Sequence, residues 1–281
     1  MLPVIEQQAL LYCPATLAPL ASRRNVVVIH DAAALSHPEA YSRVYATYHR
    51  LMLPAIARRA RLLITVSDFS RAEISELLGI PSDRIAVIGE GVGERFSPDV
   101  DPEPARRALA LAKPYVLAVG TASARKNLGA LEPAAAALDG LGFELVVAGS
   151  DRGYLRGQAT ALRRLGYVDD ELLPGLYAGA RAFAMPSLHE GFGLPCLEAM
   201  AAGVPVVASA SGALPATCGD AALLIDPDDR DGLTGAVIAA ATDDKIRGRM
   251  IDDGLRNAAA RPWSRTAELT DAAIGRLLTG G

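Results

Sequence analysis

Cysteine is scarce in this chain. The three present (Cys13, Cys196 and Cys218) are far apart and form no Cys-x-x-Cys pair, so neither a disulfide framework nor a cysteine zinc site has support, and a reducing cytoplasm is the expected compartment. Excess positive charge is lacking too. Lys+Arg 28 against Asp+Glu 32 leaves a formal net charge of −4, so no global field is available to hold a nucleic acid. No Gly-x-Gly-x-x-Gly follows a strand-like run, which argues against a nicotinamide-dependent oxidoreductase. The longest uncharged stretch, Ala199 to Gly219, is broken by Gly203, Pro205, Gly212 and Pro215 and suits strand and turn better than a membrane span. The uncharged segment from Gln7 to Ser22 is preceded by Glu6 and by no Lys or Arg, so it lacks the basic region of a signal peptide and reads as the interior of a domain.

Apolar residues, in contrast, are abundant. With 51% hydrophobic and 21% charged residues over 281 positions, the chain is globular, and at roughly 150 residues per domain it suits two domains or one large one. Short β-branched runs alternate with longer Ala, Leu and Arg-rich stretches, the pattern of an α/β class with parallel sheets. Strands are expected at Asn25–Ile29, Leu62–Val66, Ile85–Ile88, Tyr115–Val119, Glu144–Ala148, Ala182–Met185, Pro205–Ala208 and Ala221–Ile225. Helices are expected at Pro38–Arg59 (interrupted by Pro54), Ser70–Leu78, Asn127–Leu138, Asp170–Gly179, Leu194–Ala202 and Asp231–Ala241, with Ser67, Asp68 or Ser70 capping the second. Gly89–Pro104 has no apolar period and marks a hinge. The domains expected are therefore 1–97, 98–261 and a C-terminal helix in 262–281 that packs back on the first.

The most informative segment runs from His189-Glu190-Gly191-Phe192-Gly193-Leu194-Pro195 to Glu198-Ala199-Met200. It follows a strand, passes through a glycine turn and opens a helix near Pro195, so free N–H groups sit at the carboxyl edge of a sheet, where phosphate is favoured. Two carboxylates beside a phosphate would repel it. Glu190 and Glu198 therefore make sense as acceptors from ribose and sugar hydroxyls, and the cations must come from elsewhere. Arg125 and Lys126, just after the strand that ends Val119-Gly120-Thr121, are placed to clamp a diphosphate.

These residues resemble the retaining glycosyltransferases of family 4, with the GT-B fold of two facing Rossmann-like domains. The matching elements are Glu190-x7-Glu198 with its glycine turn, Val119-Gly120-x4-Arg125-Lys126-Asn127-Leu128, Val147-Ala148-Gly149, Leu165-Gly166-Tyr167-Val168, Thr65-Val66-Ser67-Asp68-Phe69-Ser70 and Gly91-Val92-Gly93-Glu94-Arg95-Phe96-Ser97-Pro98. The resemblance implies donor binding by Gly120, Arg125 and Lys126 (diphosphate), Glu198 (ribose), the backbone of Tyr167 and Val168 (base), and Gly191, Phe192, Gly193 and Leu194, whose amides hold the transferred sugar with Glu190. Glu190 and His30 would be the catalytic pair, the latter facing the sugar from the first domain beside Asp31. It further implies retention through an oxocarbenium-like transition state, no metal and no cofactor besides the nucleotide diphosphate sugar, and a glycan or lipid-linked acceptor in polysaccharide biosynthesis. The His30-Asp31 and Ala34–Glu39 region is mannosyltransferase-like, so mannose is the expected hexose.

Some features depart from the family. About three strands precede the hinge, and the usual first strand and glycine-rich loop have no counterpart, so the expectation is an incomplete first domain and the alternative is an inactive nucleotide-sugar-binding fragment. Ala216 stands where relatives often carry an acid. Asp99-Val100-Asp101 and Asp226-Pro227-Asp228 read as hinge and cap residues rather than metal ligands. His189 reads as a neutral bystander. Arg50, Arg58, Arg59 and Arg61 would allow weak peripheral contact at the inner face of a membrane, but ten arginines against nine acids in residues 1–97 favour a solvated face.

Overall fold

The structure, a computed structural model, describes residues 9–150, 152–157 and 160–279. Residues 1–8 and 280–281, expected as the ends of the first domain and the final helix, lie outside the described residues.

The first half of the chain comprises β1 (Leu11–Cys13), β2 (Asn25–Val28), α1 (Ala33–Ser36), α2 (Arg43–Arg59), β3 (Leu62–Thr65), α3 (Asp68–Leu78) and β4 (Ile85–Val87). The second comprises α4 (Glu103–Ala108), β5 (Tyr115–Val119), α5 (Glu132–Gly140), β6 (Glu144–Ala148), β7 (Arg163–Gly166), α6 (Leu173–Ala178), β8 (Ala182–Met185), α7 (Leu194–Ala201), β9 (Val206–Ser209), α8 (Leu214–Cys218), β10 (Ala222–Ile225), α9 (Arg230–Thr242) and α10 (Asp244–Ala259), followed by α11 (Trp263–Thr279). Two parallel sheets result, β1-β2-β3-β4 and β10-β9-β8-β5-β6-β7. Every residue of β2, β8 and β9 is buried, as the unbroken apolar runs of a sheet covered on both faces require.

Three expectations need correction. Pro54 does not interrupt α2, which runs unbroken from Arg43 to Arg59. Proline forfeits one backbone hydrogen bond, but Leu53, Ile56 and Ala57 around it are core residues, and their burial outweighs the loss. That helix does not begin at Pro38 either. Pro38–Ala40 form a separate 3-10 turn, Tyr41 is extended, and Ser42 caps α2 by accepting from the Tyr45 amide at 3.3 Å. Finally, four strands rather than about three precede the Gly89–Pro104 segment, because Leu11–Cys13 pairs in parallel with Asn25–Val27.

Among the expected caps, Ser67 holds the position, accepting from the Ser70 amide at 3.0 Å, and Gly79 ends α3 in the left-handed region. Helix α11 returns to the first sheet. Its Leu269, Ala273, Ile274 and Leu277 pack on Val26, Val28, Ile64 and Ile88. The chain thus crosses between the halves twice, and the crossings touch. The Val92 amide donates to the Arg261 carbonyl at 2.9 Å, and a Cβ on Gly91 would lie 2.5 Å from the backbone of Trp263.

Candidate active site

The carboxyl ends of the two sheets meet at the glycine turn between β8 and α7. Ser67 and Ser70, at the start of α3, donate to the Gly191 carbonyl at 2.6 and 3.1 Å. A Cβ on Gly191 would come within 2.8 Å of both the Asp31 Cβ and the His30 carbonyl, so glycine is what lets the loop after β2 close on this turn. Phe192 is buried beside Gly89 and Val66, and Gly193 precedes α7 at φ +99°, where a Cβ would lie 2.6 Å from Leu214 Cδ2. Leu194 is the first residue of α7 and Pro195, which has no N–H, the second; the Cys196 amide donates back to the Gly193 carbonyl at 2.9 Å, and the Leu194 amide has no carbonyl partner within the helix.

Across the sheet, β5 ends at Gly120, and residues Ala124–Lys126 form a 3-10 turn. The Lys126 side chain lies over Gly120, and its Nζ reaches Glu190 Oε1 at 2.7 Å. Arg125 stands 3.4 Å from the same oxygen and also donates to the His189 carbonyl. All three side chains are about nine-tenths buried. Burial pushes the Glu190 carboxyl up, but the Lys126 and Arg125 charges more than offset this, holding it below the ordinary carboxylate range.

His30 lies between two acceptors, with Nδ1 3.1 Å from Glu90 Oε1 and Nε2 3.1 Å from the Pro14 carbonyl. Neither partner donates, so both contacts are satisfied only by the imidazolium. The Glu90 hydrogen bond accordingly raises the His30 pKa, against a smaller desolvation effect.

Glu198 lies apart from the cation pair. Its Oε2 accepts from the Tyr177 hydroxyl at 2.8 Å, and burial raises its pKa despite that bond and the Arg95 charge. Tyr167 is 68% exposed just beyond β7, whereas Val168 is buried. The structure therefore gathers Arg125, Lys126 and Glu190 around one carboxylate oxygen and sets His30 against Gly191. Glu198 and Tyr167 remain outside that cluster.

His189 is not a bystander. Its Nε2 lies 2.7 Å from Glu73 Oε1 on α3, its ring meets His37 and Phe69 edge-on at 5.0 and 5.3 Å, and Glu73 also accepts from the Ala32 amide at 3.3 Å. The side chain thus joins the two halves. Burial pushes the Glu73 carboxyl up, but its bonds to His189 and its other partners lower it below the usual value. Nothing local to residue 189 signals this, because Glu73 lies 116 positions away. Glu90 and Tyr177, the partners of His30 and Glu198, escape a sequence reading for the same reason.

In the Asp-x-Asp pairs, Asp101 and Asp226 accept from the Glu103 and Asp228 amides at 3.0 and 2.9 Å. Asp229, just beyond the second pair, is the residue that caps α9. Among the described residues, no three His, Cys, Asp or Glu side chains are grouped to hold a metal ion, and no helix is long and apolar enough to cross a membrane.

The chain is similar to known proteins. Residues 113–243 match the family described as Glycosyl transferases group 1, and residues 7–95 match Glycosyltransferase Family 4. The O-antigen chain mannosyltransferase B of Escherichia coli is 35% identical over 274 residues, which cover 90% of this chain and 70% of that protein. Serotype-specific mannosyltransferase WbdA of Escherichia coli is 28% identical over 275 residues, covering 91% of this chain, which spans about a third (34%) of its length. Among solved structures, sucrose-phosphate synthase from Thermosynechococcus elongatus superposes with a TM-score of 0.75 at 24% identity, covering 92% of this chain and 68% of that one. Anabaena HepE in complex with UDP and glucose gives 0.72 at 20% identity, covering 91% and 71%. At those identities the structures establish a shared fold, two parallel-sheet halves facing across a cleft, and the sequence relatives establish the kinship: this chain belongs to the group 1, family 4 glycosyltransferases.

Proposed function

We propose that the protein transfers a hexose, mannose in the first instance, from a nucleotide diphosphate sugar to a glycan or lipid-linked acceptor with retention of anomeric configuration. The observation that carries this reading is the convergence of Arg125, Lys126 and Glu190 at the glycine turn before α7. Lys126 has three N–H donors and Arg125 five, so binding Glu190 leaves each with donors for a diphosphate. The buried carboxylate fixes both cations in place and faces the sugar side, where the first-turn amides of α7 add partial positive charge. As the glycosidic bond breaks, leaving-group charge falls on the diphosphate, where the two cations neutralise it in a water-poor cleft. His30 faces the sugar from the other half. Glu198 receives the ribose hydroxyls, and the backbone at Tyr167 and Val168 receives the base. The names of the relatives support mannose and an O-antigen-like product, and HepE, with UDP and glucose bound, supports nucleotide-sugar use within the fold. Donor turnover at this site requires no membrane-embedded segment, and a cytoplasmic protein, peripheral at most to a membrane, fits the reading.

Calorimetry with GDP-mannose tests it. Lys126→Ala and Glu198→Ala are each expected to weaken binding at least about tenfold, the effect of losing one charge-assisted hydrogen bond. Unchanged affinity in both variants would refute the proposal.

A further inference from the structure

A cavity of about 580 Å³ opens outside the donor cleft, between α1, α2 and the 152–157 segment. Its floor is apolar, with Leu35, Pro38, Pro54 and Leu77 among its lining, and its polar lining is dominated by Arg43, Arg50 and Arg156. The one carboxylate on its wall, Glu39, faces His37 at 3.3 Å, and none of the three guanidiniums forms an ion pair among the described residues. The three arginines share the lining with no carboxylate partner among the described residues, so an anion between them gains charge-assisted hydrogen bonds that none of them makes otherwise.

The cavity also adjoins the site. Ala34 and Tyr41 line both it and a smaller pocket of about 80 Å³ that contains His30 and Asp31. The Tyr41 hydroxyl, pushed up to about 12 by burial, lies against the Arg125 guanidinium, which partly counters that shift. On the other wall, the Arg156 carbonyl accepts from the Ala124 amide at 3.0 Å, next to Arg125. The 152–157 segment belongs to the second half yet is fastened to the first. The Ser42 amide donates to the Tyr154 carbonyl at 2.7 Å, the Arg156 amide donates to the Ala40 carbonyl at 2.9 Å, and Tyr154 stacks on Tyr45 with ring centroids 4.6 Å apart.

We infer that this cavity seats a phosphate or diphosphate group carried by the acceptor, gripped by Arg43 and Arg50 from one half and Arg156 from the other. Any apolar chain lies on the proline and leucine floor, and the sugar reaches past Tyr41 toward His30 and Asp31. The inference rests on the glycosyl-transfer reading for the identity of the ligand as acceptor.

Calorimetric titration of the full chain, held at saturating GDP to fill the donor site, tests it with decyl phosphate, mannose 1-phosphate and inorganic phosphate as probes. An organic phosphate is expected to bind more tightly than inorganic phosphate. Preference for decyl phosphate assigns the group to a lipid chain, and preference for mannose 1-phosphate assigns it to a sugar phosphate. Arg43→Gln combined with Arg50→Gln should weaken that binding about a hundredfold, tenfold for each charge-assisted hydrogen bond removed, with GDP affinity unchanged. Arg156→Gln alone should weaken it about tenfold. Absence of binding by both organic phosphates, or equal binding by the double variant, overturns the inference. Failure of the wild-type chain to bind GDP counts against the glycosyl-transfer reading instead, because the arginine variants report on the cavity whether or not the donor site is filled.

Discussion

At the level of single residues, the site is built from shared rather than divided roles. Assigning cations to phosphate and acids to hydroxyls by charge alone is sound about sign, but it misses that Lys126 and Arg125 already share the Glu190 carboxylate. Removing one partner from such a buried group costs on the order of 3–5 kcal/mol, so variants here must be checked for folding before activity is interpreted. His30 offers a cleaner probe. Its pKa is raised above the ordinary value of about 6.5 by Glu90, so the stabilisation from that contact is complete below pH of about 6.5 and is lost as pH rises through the raised value. An NMR titration of the His30 ring proton should give a midpoint above the ordinary one, and Glu90→Gln should lower it. A His30 midpoint at or below about 6.5 in the wild-type chain would show that the contact does not form in solution.

At the level of elements, the glycine turn before α7 is the most constrained piece of backbone. Gly193 combines φ of +99° with a Leu214 methyl 2.6 Å from where a Cβ would sit, so Gly193→Ala meets both backbone strain and a clash. A loss of about 1–3 kcal/mol is expected in denaturant unfolding, with GDP-mannose affinity falling as the α7 amides shift. This turn is legible in the sequence because strand, glycine, proline and helix signals agree there. The fully buried strands are legible for a similar reason, since a short unbroken apolar run such as Ala182–Met185 suits a strand covered on both faces. β7 is not: Arg163-Arg164-Leu165-Gly166 is a sheet-edge strand, and its charges hide it while discouraging pairing with another chain. α10 lies in a stretch with no expected element although Ile246, Met250, Ile251 and Leu255 recur there at helical spacing, because the charged residues between them dilute the apolar signal of a helix that buries only Met250, Gly254 and Ala258. The Pro54 correction has the same origin, since the local cost is visible in the sequence and the surrounding core is not.

At the level of the molecule, the two halves are held together by contacts between residues distant in the chain. Ser67 and Ser70 on the Gly191 carbonyl, Glu73 on His189, and Thr266 on the Gly89 carbonyl at 2.7 Å all join segments more than a hundred residues apart. Helix α11 covers one face of the first sheet with Ala273 buried at its centre. Ala273→Asp places a charge in that apolar patch and is expected to destabilise the protein by about 3 kcal/mol or more, whereas Glu268→Gln on the exposed side should leave the thermal midpoint nearly unchanged. Equal midpoints for the two variants would mean that α11 contributes little to the first half.

The paired crossings at Val92 and Arg261 carry a mechanical consequence. A single tether would leave one body free to swivel in any direction over the other, but two chain segments joined where they cross act as a pin and restrict the directions of relative rotation. Each opening would therefore return Gly191 to the same place against Asp31, as a jaw on a fixed pivot closes repeatedly to the same bite.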